Sequence, residues 1–371
     1  MAGSTNLDVF IGVEVVETLS DTWTAIERDW LAKRCKRLTI VGTFSSGNPW
    51  IRNLAHLEEV VFLYGIIPFT NVCKELQENS VKLFSLEVGI SNAHLLAQFP
   101  SLVSRLRDVR VVGVDRRRGV QECTPLPLDS VEELLWSDLS SRNPLPVTTN
   151  RLRTLTLVLY HDFTVPHAEW NSLTELRILC PEGWRVRLGQ GSLSLLGLKT
   201  LVLRGEWAEL LWINAPALKT LELLRKSGRI DGCREALLGC ILRPRVVHIE
   251  MCVTATILLR VLQEAWSNIE QLRCTYRFSQ DMYLFPKKLL DYLSQSRSTH
   301  GTEEICPRLG TFTVILDYTS TTNALNDVVQ IKAAMEKMCE SREAFSQLTV
   351  ALLCVEMSGP YGVSTEWMSF S

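Results

Sequence analysis

The side chains in this sequence best suited to chemistry by type are His161, Asp162 and His167. Two imidazoles and a carboxylate can hold a zinc ion or serve as general acid and base. Their spacing suits neither use. The i, i+4 helical separation of the common zinc motif is missing, no cysteine pair lies nearby, and the residues read as an ordinary polar loop after the strand. The segment Gly42 to Gly47, GTFSSG, approaches a phosphate-binding loop but lacks the lysine that neutralises phosphate. No nucleophile elbow and no dinucleotide fingerprint occurs. Arg116 to Arg118 is the sole basic run, and a solvated loop is its simplest explanation. The expectation is a non-enzyme with no cofactor and no metal.

The elements that would position any site follow one spacing. In NRLRTLTLVL, Asn150 to Leu159, the residues Leu152, Leu155 and Leu157 match the L-x-x-L-x-L core of a leucine-rich repeat. The last two leucines obey strand alternation and share one face, while Thr154, Thr156 and Val158 take the other. The same signature runs from Cys35, Leu38, Ile40 through Leu83, Leu86, Val88 and Leu218, Leu221, Leu223. It continues through Val246, Ile249, Met251 to Phe345, Leu348, Val350. About 13 copies recur, mostly at intervals of roughly 20 to 28 residues, inside the range of this repeat. The predicted fold is an irregular α/β leucine-rich-repeat solenoid, a horseshoe with a parallel β-sheet on its concave side and helices or loops on its convex side. The asparagine or cysteine usually found just past the last leucine is replaced by residues such as Tyr160, Pro181, Glu206 and Arg225.

Residues 1–34 read as an N-terminal helical cap, with Trp23, Ile26, Trp30 and Leu31 on one face. Residues 35–357 form the repeat domain and 358–371 a C-terminal tail. Helical patterns between copies cover Val72 to Leu76, Ala93 to Phe99, Glu235 to Ile241 and Ile257 to Trp266, with two more at Lys287 to Leu293 and Asn323 to Cys339.

Composition narrows the partners. With 371 residues and 46% hydrophobic content the chain can bury a large core, and a solenoid does so as one continuous domain. A formal net charge of −2 argues against a general electrostatic grip on nucleic acid or an anionic membrane. The 11 cysteines include no C-x-x-C pair, and there is no glycosylation sequon and no secretory signal pattern, which points to a reduced cytoplasmic or nuclear setting. Cys180, Cys233, Cys240, Cys252 and Cys274 lie at or beside repeat positions and read as packing. Trp184, Trp207 and Trp212 lie in connections, where aromatic side chains can anchor an interface.

The segments WLAKRCKRLTI (Trp30 to Ile40), CPRLGTFTV (Cys306 to Val314) and MCESREAFSQLTV (Met338 to Val350) resemble the leucine-rich region of fungal F-box-like proteins, especially those of mushroom-forming fungi. That resemblance implies the substrate-recognition part of a cullin-type ubiquitin ligase. Docking on the ligase adaptor would depend on an F-box, for which this sequence has no counterpart.

Function would then be read from the outward side of the sheet. The residues expected there are Thr154, Thr156, Glu175, Arg177, Arg204, Glu222, His248, Glu250 and Arg273, with Val202 among their neighbours. Mixed arginine and glutamate on one face suit charge-assisted contacts to a protein segment. The same residues are also what the solvated side of a half-buried sheet would carry. The functional expectation is a non-catalytic recognition scaffold, either the ligase subunit's substrate-binding part or a free-standing interaction protein.

Overall fold

Apolar residues two apart on successive segments can be buried together only if those segments pair side by side in one register. A computed structural model has that arrangement. It describes residues 7–12, 35–41, 54, 56–63, 69–80, 82–112, 128–138, 151–160, 163–165, 170–180, 186–188, 193–205, 211, 213–224, 237–250, 255–277, 289–291, 293, 306–318, 333–334, 336–337, 347–357 and 363–370. The chain forms two compact units, Met1–Ile178 and Leu179–Ser371.

In the first unit the strands β1 (Leu7–Gly12), β2 (Cys35–Val41), β3 (Glu59–Leu63), β4 (Ser85–Gly89), β5 (Asp108–Val112), β6 (Glu133–Asp138) and β7 (Thr154–Leu159) are parallel neighbours in chain order. A three-residue strand, β8 (Phe163–Val165), lies outside this order, and β9 (Glu175–Leu179) sits beside β7. Leu38, Val60, Leu86, Val109, Leu134 and Leu155 form one buried row by register, and Val88, Val111, Trp136 and Leu157 form another. Burying an aliphatic side chain of this size contributes about 1.5–3 kcal/mol, so these rows are the main source of cohesion.

The second unit repeats the plan. After β10 (Val186–Leu188), the strands β11 (Thr200–Arg204), β12 (Thr220–Leu224), β13 (Val246–Glu250), β14 (Gln271–Arg277), β15 (Thr311–Tyr318) and β16 (Gln347–Met357) are parallel in chain order. The last strand, β17 (Val363–Phe370), pairs antiparallel with β16 and lies in the segment expected as a tail. Similarly, β1 lies inside the expected cap. Its Val9 and Ile11 pair with Leu38 and Ile40, so strand pairing starts one copy before the first copy read from the spacing. The cap residues Trp23 to Leu31 lie outside the described residues.

One copy is corrected. Val246, Ile249 and Met251 were expected to be its apolar positions, but Val247 and Ile249 are the buried pair, lying beside Leu221 and Leu223. Val246 is half-buried on the other face. The copy therefore reads Pro244, Val247, Ile249. Two adjacent valines satisfy either alternation, and only pairing with neighbouring strands chooses between them.

Short helices occur in the connections: α1 (Phe69–Asn79), α2 (Ile90–Ala93), α3 (Pro100–Val103) and α4 (Ala255–Glu264), with a 3₁₀ turn at His94–Gln98. In α1, Phe69, Val72, Cys73 and Leu76 recur at i, i+3, i+4, i+7 and are all buried. The Phe69 ring meets Phe62 edge-on at 5.1 Å, which seats α1 on the leucine side of the sheet. The stripe expected on α4 and just after it is likewise buried, at Leu258, Leu262, Ala265 and Trp266. Of the two later helical patterns, residues 289–291 and 293 and residues 333–334 and 336–337 are helical, and the rest lies outside the described residues.

Two backbone devices recur in most of the described coils of each unit. The first leucine position donates its N–H to the carbonyl three residues earlier, as in Leu57 to Leu54 (3.2 Å), Leu106 to Val103 (3.0 Å), Leu173 to Trp170 (3.1 Å) and Leu309 to Cys306 (3.0 Å). Those accepting residues are buried, which adds a fourth repeat position, one turn ahead of the leucine signature. The residue after that first leucine offers a carbonyl that accepts two N–H groups from the next coil. Arg153 and Thr154 both donate to Glu132, and Thr174 and Glu175 both donate to Arg153. Lys219 and Thr220 both donate to Lys199, and Arg245 and Val246 both donate to Lys219. Backbone groups thus join neighbouring coils before each strand begins.

Candidate functional site

In β-sheets with one face committed to a core, the opposite face is where side chains are free to recognise something. The nine residues singled out from the sequence all stand on that open face, half-buried or exposed, while the leucines between them are buried. Val202, expected among them, shares the face through its register with Glu222 but is itself buried. It contributes apolar contact there.

In the second unit the parallel register lines up Val202, Glu222, His248, Arg273 and Thr313 as one row across five strands. His248 shares a hydrogen bond with Thr275 through Nε2 at 3.0 Å, and its Nδ1 lies 3.9 Å from Glu222 Oε2. The latter is an ion pair only when the imidazole is protonated. Glu250 lies beside Thr275 in the adjoining row, and Arg204 lies beside Leu224. Arg204 and Arg273 are exposed, and neither guanidinium pairs with a carboxylate among the described residues. This row therefore offers a hydrogen-bonded centre, an acceptor on one side and a donor fork on the other.

In the first unit Thr154 and Thr156 lie beside Glu133 and Leu135. Glu175 and Arg177, two apart on β9, form an ion pair with each other, so their charges are largely satisfied within one strand. A denser group was missed by the sequence reading. Arg37, Glu59, Ser85 and Asp108 form one row, and Glu87 and Arg110 are neighbours in the next. Arg37 Nε lies 3.4 Å from Glu59 Oε2, Arg110 lies 3.1 Å from Asp108, and the Ser85 hydroxyl donates to Asp108 at 2.9 Å. Burial raises the Glu87 pKa above the ordinary carboxyl value; Arg110 and Arg37 pull it back, and Glu59 and Asp108 add to the rise. These residues occupy the same outward places in the repeat as Thr154 and Thr156, and that spacing was the signal available for finding them.

The described cysteines Cys35, Cys73, Cys180, Cys240, Cys274 and Cys306 are buried. Burial pushes the Cys73 thiol far above its ordinary value and raises that of Cys240. Such thiols pack and do not attack. His161, Asp162, His167, Arg116 to Arg118, Gly42 to Gly47, Trp184, Trp207, Trp212, Cys233 and Cys252 lie outside the described residues. No helix among the described residues is long and apolar enough to cross a membrane. No protein-family model matches the chain, and no curated protein matches it.

Proposed function

We propose that the chain is a leucine-rich-repeat recognition scaffold that binds a protein segment on the open face of its parallel sheet and performs no catalysis. The observation that carries this reading is the row Glu222, His248, Arg273, where parallel register stacks polar side chains of different chemistry at strand spacing. A polypeptide laid across the strands would meet an acceptor, an imidazole and a guanidinium in fixed order, which gives register as well as attraction. The leucine-rich identity rests on the L-x-x-L-x-L spacing, the buried alternate positions and the one-strand-per-coil order.

Within this class the resemblance to fungal F-box-like proteins favours the substrate-binding part of a ubiquitin ligase, acting in the cytoplasm or nucleus. A free-standing interaction protein is the second reading. The test replaces Glu222, His248 and Arg273 with alanine and measures capture of host proteins by the purified chain, with circular dichroism as the folding control. Loss of a captured protein with the fold intact supports the open face, and unchanged capture removes it. Co-purification of a cullin adaptor with the natural gene product would separate the ligase reading from the free-standing one.

A further inference from the structure

The position just after the first leucine of each copy forms a column of side chains along the strand-entry edge, because its backbone joins coil to coil. In the first unit the column alternates in sign. Lys36 lies 3.2 Å from Glu58, Phe84 follows, and Arg107, Glu132 and Arg153 come next, with Arg153 3.9 Å from Glu132. The second unit departs from this. Lys199, Lys219 and Arg245 follow one another with no acid between them, linked by the bonds from Lys219 N–H to Lys199 O (2.8 Å) and from Arg245 N–H to Lys219 O (2.9 Å).

All three cations are exposed. Arg245 lies 3.5 Å from Glu270 at the far end of the run, whereas the ammonium groups of Lys199 and Lys219 meet no carboxylate among the described residues. Strands stand about 4.8 Å apart, so three like charges are stacked over roughly 10 Å. Like charges on adjacent strands repel and weaken the pairing, a cost that an anion lying along the column would remove.

We propose that this entry edge of the second unit binds an acidic polypeptide segment, with its Asp or Glu carboxylates on Lys199, Lys219 and Arg245. An extended chain advances about 3.3 Å per residue with side chains alternating in direction, so a segment of roughly four to five residues covers the column. A nucleic acid fits less well, because phosphate contacts supply most of its affinity and Glu270 closes the row after three cations. The inference deepens the recognition reading and rests on it for the partner being a protein.

The test measures fluorescence anisotropy of a labelled hexaglutamate peptide on the full purified chain, at low salt and at about 0.15 M. Hexaserine, a single-stranded oligonucleotide and inorganic phosphate serve as the other arms. Hexaglutamate should bind, more weakly as salt rises, and the Lys199→Glu, Lys219→Glu double variant should lose roughly tenfold or more in affinity. Lys36→Glu in the first unit should leave binding unchanged. Lys219→Glu alone should weaken binding and also raise the melting temperature, since it turns a run of like charges into an alternating one. Unchanged peptide binding in the double variant, equal loss in Lys36→Glu, or equal or stronger binding of the oligonucleotide, phosphate or hexaserine would overturn the proposal. A defined peptide on the purified chain tests this edge alone, so its failure leaves the Glu222, His248, Arg273 test of the open face standing.

Discussion

Gly205 closes β11 at a φ of +104°, a conformation that side chains with a Cβ rarely adopt. A Cβ placed there would lie 2.5 Å from the carbonyl oxygen of Cys180, whose own N–H donates to Arg204 O at 2.9 Å. Conformation and close approach thus both demand glycine, and Gly205→Ala should cost about 2 kcal/mol or more, read as a lower urea midpoint. A glycine after L-x-L was visible in the sequence, but its left-handed backbone and its neighbour were not. Glu87 gives a second prediction at this scale. Its folded carboxyl keeps a proton to higher pH than the unfolded one, so the unfolded chain releases its proton first as pH rises. Stability is therefore full below the unfolded value near 4.5 and falls as pH climbs through that value and the folded one. Glu87→Gln should stabilise the protein at neutral pH and match the parent at pH values below that window; a variant less stable at neutral pH would show that its ion pairs outweigh its burial.

The connecting elements are held by side chains aimed at backbone. Arg105 donates from one guanidinium nitrogen to Leu76 O at 3.3 Å and Gln77 O at 2.9 Å, placing a cation on the last carbonyls of α1, which carries no basic residue in its own last turn. Removing it by Arg105→Met should cost about 1 to 2 kcal/mol and raise amide exchange at the end of α1 before it affects β4 and β5. The 3.6-residue pattern of α1 was legible from Val72, Leu76 and their neighbours, because one apolar stripe has one solution. The Arg105 contact was not, since it joins residues from different coils and depends on how the coils stack. The shift at Val246 has the same origin. Where local pattern allowed two alternations, the partners Leu221 and Leu272 decided.

At the scale of the molecule, each unit has its strands in chain order, so every coil is stabilised mainly by the coils beside it. A cavity should therefore act locally. Leu221→Ala, which removes a fully buried side chain from β12, should cost about 2 to 5 kcal/mol and speed exchange in β11 and β13 more than in β15. Equal acceleration in all of these strands would mean that the unit opens only as a whole. The parallel order was legible from repeating leucines, since only side-by-side stacking buries them all. Which outward residues come together was legible only in part. The row Glu222, His248, Arg273 follows from spacing, whereas the hydrogen bond between His248 and Thr275 links two rows and depends on how the strands stack. Within each unit, at most junctions among the described residues, two N–H groups of one coil donate to one carbonyl of the coil before it, whatever side chains the junction carries. Such a chain can grow or shrink by duplication or loss of a whole coil, because the exposed junctions rejoin with the same bonds. It tolerates a single added residue within a strand far less, since that turns the leucines to the open face. Its length can drift in evolution in steps of one coil, and a partner's reach along the array would change in the same steps.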